Sequence, residues 1–209
     1  MMEPRDGILA AAQTVFARHG FRQTAMAMVA AEAGLSRQAL YHHFDSKEAL
    51  FAALVDQLQE VALIAAQEAA MRGGRDVADV VYKIMLAHHR SFLESVASSP
   101  FAAELIEESS KQCGSAVAAH TRRFEKELEA AISGVARAGR FDFRPGVGAR
   151  DLTEMVCVAA KGVKTAYAGE GDVRYAQKLK RMIDMICAGA GSASVKASQR
   201  MGTARRMAR

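Results

Sequence analysis

Between Ser36 and Phe44 the chain sets Arg37, Gln38, Tyr41 and His42 close together: a guanidinium, an amide, a phenol and an imidazole. A guanidinium pairs bidentately with guanine and an amide with adenine, while phenols and imidazoles donate to phosphate oxygens. If the segment is helical, each residue turns by about 100°. With Leu40 at the centre of the buried face, Gln38 and His42 point outward. Ala39 and Tyr41 flank them, and His43 and Phe44 turn back inward. Arg37 lies nearer the core side but in the first turn, with a long reach. Ser36 is placed to cap the helix, whose positive end also suits a phosphate. Adjacent His42 and His43 diverge too far to share a metal, so no metal or cofactor is expected.

The elements around this segment must hold it. A short helix is predicted over about Met26 to Ala33, followed by Gly34-Leu35-Ser36 and a second short helix from about Ser36 to His43. Ala30 is small where the two helices cross. Gly34, four residues on, occupies a turn where a left-handed backbone costs little without a Cβ. Leu35 and Leu40 are apolar, as an inner face requires. This spacing, over about residues 25–44, is that of a DNA-binding helix-turn-helix.

The stretch AGLSRQALYHHFDSKEALF resembles the helix-turn-helix signature of TetR/AcrR-type bacterial transcriptional regulators. The resemblance extends back through Ile8, Ala11, Ala12, Phe16, Gly20-Phe21 and Thr24, and so covers about residues 5–52. It implies that Thr24, Tyr41 and Lys47 touch phosphates, and that Arg37, Gln38 and His42 supply base or groove contacts. Ala25 stands where that family often has Ser or Thr, so Thr24 is expected to cap the second helix instead. Residues 1–50 carry five basic and five acidic side chains. DNA binding therefore requires Arg22, Arg37 and Lys47 to face the duplex while Glu3, Asp6, Glu32 and Glu48 face away.

Beyond this segment the chain reads as all-α, with about nine helices in its 209 residues. The first runs from about Arg5 to His19. A long helix capped by Ser46 reaches about Met71. Others cover about Asp76 onward, Pro100 to Ser110, Gln112 to Ala138, Ala149 to Ala168 and Val173 to Ala188. Residues 1–50 are read as the DNA-binding domain and 51–189 as a ligand-binding and dimerisation domain. Residues 190–209 are read as a flexible basic tail. That tail holds five bases and no acid, leaving 23 of each sign in residues 1–189, so the net charge of +5 is local to the end.

Candidate pocket residues are Met85, His88, Phe92, Phe101, Phe124 and Met155, with His88 as the polar group among apolar ones. The resemblance implies a homodimer through about residues 150–188, a pseudo-palindromic operator and an unidentified small-molecule effector. It also implies the long helix from Ser46 as the lever between the domains. Cys113, Cys157 and Cys187 are odd in number and far apart, which fits a reducing cytoplasm and excludes a disulfide framework. Cys113 is placed near a helix start, where a thiol is more acidic. No run approaches about 20 apolar residues, so no membrane span is expected. The N-terminus is a poor signal peptide, and the expected location is the cytoplasm, at the nucleoid. G-x-S-x-G, P-loop, H-E-x-x-H and G-x-G-x-x-G are absent, so catalysis is not expected. A helical adaptor for protein partners is the other class left open.

Overall fold

The computed structural model describes residues 4–96, 99–166 and 172–192, and all side chains among them except those of 92–96 and 165. Their order is α1 (Pro4–Gln23), α2 (Met26–Glu32), α3 (Arg37–His43), α4 (Lys47–Arg72), α5 (Val77–Val96), α6 (Ala102–Arg137), α7 (Ala149–Ala166) and α8 (Asp172–Ala190). The all-α expectation holds, with eight helices among the described residues rather than nine. The difference lies in α6. Its Ser109 and Ser110 hydroxyls each donate back to the Ile106 carbonyl at 3.0 Å, so they are satisfied inside the helix and do not break it. The basic tail lies, from residue 193 onward, outside the described residues.

Helix ends follow local chemistry. Ser46 Oγ accepts from Ala49 N at 3.0 Å and starts α4. Asp76 Oδ1 accepts from Asp79 N at 2.8 Å, and Asp79 in turn accepts from Arg75 N at 2.9 Å, starting α5. Helix α6 closes with Gly139 at φ 66 and the bonds Arg140 N to Val135 O and Gly139 N to Ala136 O. Residues 4–23 form one helical run interrupted at Gly20, whose φ of 73 and ψ of 174 are non-helical. The glycine expected just past the first helix therefore kinks it instead.

The described chain forms two compact units. The first takes residues up to Ile64 with His89–Arg122. Its core surrounds three rings, with Phe16 and Phe51 edge to face at 5.1 Å and Phe21 at 4.9 Å from Phe51. Ile8, Val29, Leu40 and Leu50 are fully buried around them. The second unit takes Ala65–His88 and the chain from Arg123. Ile84, Leu128, Ile132, Leu152, Leu179 and Ile183 fill it. Helix α4 is long and apolar enough by composition to cross a bilayer. Its Leu50, Phe51, Leu54, Leu63 and Ala66 are buried in the protein, while Val61 and Ile64 are exposed.

The two turn glycines of the first unit differ in a measurable way. A Cβ at Gly20 would lie 2.9 Å from both Phe101 and Glu104, whereas at Gly34 it would meet nothing within 4 Å. Gly20 also occupies a backbone region that only glycine adopts readily, a strain of roughly 1–3 kcal/mol for other residues. Gly34→Ala should cost only the left-handed penalty of about 1–2 kcal/mol. Urea unfolding of both variants should place Gly20→Ala well below Gly34→Ala. Equal midpoints would mean that the packing at Gly20 is not as described.

Candidate nucleic-acid interface

Helix α2 ends in a closed turn. Leu35 N donates to Ala30 O at 2.8 Å and Gly34 N to Ala31 O at 3.2 Å, with Gly34 at φ 67. This pair of bonds satisfies the last carbonyls and requires a left-handed residue, hence glycine. Ser36 then starts α3, its Oγ accepting from Ala39 N at 3.1 Å. Leu40 is the buried residue of α3, and Phe44, just past its end, is buried too. Two apolar plugs thus fix a seven-residue helix and leave its outer side in solvent.

Arg37, Gln38, Tyr41 and His42 are all exposed on that side. The Arg37 guanidinium lies 5.5 Å from the Tyr41 ring centroid, which holds it near the helix without consuming its donors. His43 is exposed as well, contrary to its expected inward turn. The helix is ending there, and the next buried position falls to Phe44 instead. His43 forms one wall of a surface cleft with Pro4, Gly7, Ala11 and Leu35. Leu35 lines that cleft too and is about a third exposed, so it caps the core edge rather than entering the core.

Thr24 and Lys47 have structural bonds of their own. Thr24 is buried, and its hydroxyl donates to Gly20 O at 2.6 Å. It does not cap α2, whose N-cap is Ala25 with no side-chain bond. The Thr24 side chain therefore fastens the α1–α2 turn and does not face solvent. Lys47 Nζ donates to Phe21 O at 2.9 Å and sits 4.4 Å over the Phe21 ring, tying the start of α4 to the end of α1. Its ammonium is half-buried and keeps two further N–H donors.

Sequence reasoning missed the support that comes from α6 and the turn before it. Glu104 Oε1 accepts from Arg22 N at 2.8 Å, and Ser99 Oγ donates to Ala17 O at 2.7 Å. Both partners are 82 positions away in sequence, so no local pattern reveals them. The His120 and Asp56 pair joins α6 to α4 at 2.7 Å.

The candidate pocket residues fall in both units. Met85 and Phe124 are buried in the second unit, where the His88 ring lies 4.1 Å from that of Phe124. Phe101 belongs to the first unit, packed beside Gly20. Met155 is 57% exposed on α7, so it lines no interior space of the described chain. The α7 turn buries Leu152 and Val156, and Met155 projects from the opposite side. Phe92 is on α5, but its side chain lies outside the described residues. Cys113 is buried in the middle of α6, not near a helix start; burial, and then Asp56, push its thiol up. Among the described residues no His, Cys, Asp and Glu cluster could hold a metal.

The capped turn and the exposed α3 define a helix-turn-helix domain. Residues 8–54 match the family described as bacterial regulatory proteins, tetR family. The chain is 38% identical over 88 residues to the HTH-type transcriptional regulator UidR of Escherichia coli K12, a stretch covering 42% of this chain and 44% of UidR. It thus spans less than half the length of the curated relative it matches. A TetR transcription regulator from Haloarcula marismortui superposes with a TM-score of 0.72 at 16% identity, over 91% of this chain and 99% of that one. SmeT, the repressor of the Stenotrophomonas maltophilia multidrug efflux pump SmeDEF, does so with a TM-score of 0.65 at 23% identity, over 91% and 92%. Residues 8–54 match the tetR family, and the described chain has the fold of these TetR structures.

Burial, and secondarily the Lys164 charge, push the His88 imidazole down to about 4. In the unfolded chain it titrates near 6.5. Between those values the unfolded state binds more protons, so this residue removes stability as the pH falls from 6.5 towards 4. His88→Leu should therefore lose less stability than the wild type over that window in urea titrations. Parallel curves would show that His88 is solvated.

Proposed function

We propose that the chain is a sequence-specific operator-binding protein that regulates transcription, acting as a repressor. The observation that carries this is α3 itself: a capped helix plugged by one buried leucine, with Arg37, Gln38, Tyr41 and His42 all presented to solvent. Such a helix fits the major groove, where Arg37 and Gln38 are suited to base edges. Ser36 at the helix start, Tyr41 and Lys47 are suited to phosphates. The buried Thr24 side chain would act indirectly, through the turn it fastens.

In this reading residues 1–50 form the DNA-reading domain and 51–189 the regulatory and dimerisation domain. The dimer forms through about residues 150–188, where Met155 and Val158 on α7 and Met185 on α8 are exposed apolar residues. Two reading heads about one helical turn of DNA apart imply a pseudo-palindromic operator. A small-molecule effector releases the DNA by favouring the incompetent arrangement, a coupling of about 1–3 kcal/mol. The relatives are transcription regulators, and SmeT is described as a repressor. The protein acts in the cytoplasm, at the nucleoid.

Selection of bound sequences from a random duplex pool, followed by affinity measurement, tests the assignment. Arg37→Ala and Gln38→Ala should each lose roughly 1–3 kcal/mol and relax preference at one position per half-site. Lys47→Ala should weaken all sequences alike and flatten the salt dependence. Unchanged preference in both α3 variants would remove α3 from the reading role.

A further inference from the structure

The second unit contains a cavity of about 240 Å³ where the start of α5, the α6–α7 loop and the end of α8 meet. Its walls are built by a short clasp. Phe143 and Gly191 form an antiparallel bridge, Arg144 N donates to Ala190 O at 2.9 Å, and Ser192 N donates to Asp142 O at 2.8 Å. The clasp brings the Gly191 backbone against the Phe141 ring so closely that a Cβ there would lie 3.1 Å from it. Phe143 braces the same ring edge to face at 5.0 Å. Phe141, Val77, Cys187 and Ala188 supply the apolar lining, and Asp76, Asp184, Arg140 and Ser192 the polar one.

The polar groups are unequally satisfied. Arg140 donates to Gly74 O at 2.9 Å, and Asp184 is held by Lys180. Asp76 accepts only the Asp79 N–H at the start of α5 and meets no cation among the described residues. The Ser192 hydroxyl is sealed from solvent, with no hydrogen-bond partner among the described residues. Burial pushes the Cys187 thiol up to about 12, and Asp184 and Asp76 push it the same way against the opposing Lys180.

We propose that this cavity binds a small organic ammonium ion with an apolar body. The ammonium meets the Asp76 carboxylate. The body rests on Phe141, whose ring face also favours a cation, and against Val77 and Cys187. The volume is below that of a drug-sized pocket, which sets the ligand at the size of a single ring with a short arm. The site lies wholly in the second unit and stands whether or not α3 reads DNA.

Calorimetric titration of the full chain with benzylammonium, benzoate and benzyl alcohol tests this. Benzylammonium should bind at one site, with the neutral and anionic analogues about tenfold weaker or worse. Asp76→Asn should weaken it about tenfold, because the amide oxygen still accepts the Asp79 N–H and keeps the start of α5 while the charge is lost. Ala188→Leu, which fills the space, should abolish binding. No binding, equal affinity for benzoate, or binding untouched by Ala188→Leu would overturn the assignment.

Discussion

A seven-residue helix cannot hold its own shape in water, because the first turn fixes several dihedrals for a single hydrogen bond. Helix α3 is such a helix, and five of its residues are exposed. Its geometry therefore has to come from outside. Leu40 supplies the main anchor, fully buried against a core containing Ile8, Phe16, Val29 and Leu50. The Ser36 cap fixes where the helix starts, and the closed turn at Gly34 fixes its direction relative to α2. Phe44 and the Ser46 cap then pass the chain into α4. A rigid outer face on a short helix is what base reading needs, since each donor must be in place before the duplex arrives.

The support extends beyond the local motif. The α1–α2 turn is held by Thr24 from inside and by Glu104 of α6 through Arg22 N. Ser99 reaches Ala17 in the same way, and Lys47 closes α1 from the α4 side. His120 on α6 lies between Asp56 at 2.7 Å and Glu60 at 3.8 Å, one helical turn apart on α4. The first half of α6 is thus bonded to the elements that orient α3. A displacement of the first half of α6 would be felt at the α1–α2 turn through these bonds.

Much of this was legible in the sequence because it is local. Gly34, Ser36 and Ser46 act within five residues of themselves, and Leu40 is marked by its place in the apolar period, so turn, cap and plug follow from residue type and spacing. What was not legible depends on distant neighbours or on where a helix stops. His43 was expected inside because the helical period turns it back there, but at the end of α3 only the next residue, Phe44, is buried. A helix boundary was expected between Ser110 and Gln112, which placed Cys113 near a helix start, yet internal bonds at Ser109 and Ser110 carry α6 through. Met155 sits on an amphipathic stripe whose outward edge only packing could reveal. The Glu104 and Ser99 bonds, each 82 residues from their partners, leave no trace in any window.

The central claim is that the outer face of α3 reads a specific sequence. Fluorescence anisotropy of the full chain on DNA flanking its own gene, against a shuffled duplex of equal composition, tests this most directly. Two salt concentrations separate base reading from phosphate attraction. The account predicts tight binding to the native flank that persists at physiological salt, and weak, salt-sensitive binding to the shuffled duplex. Absence of binding to either duplex by a folded chain would contradict it.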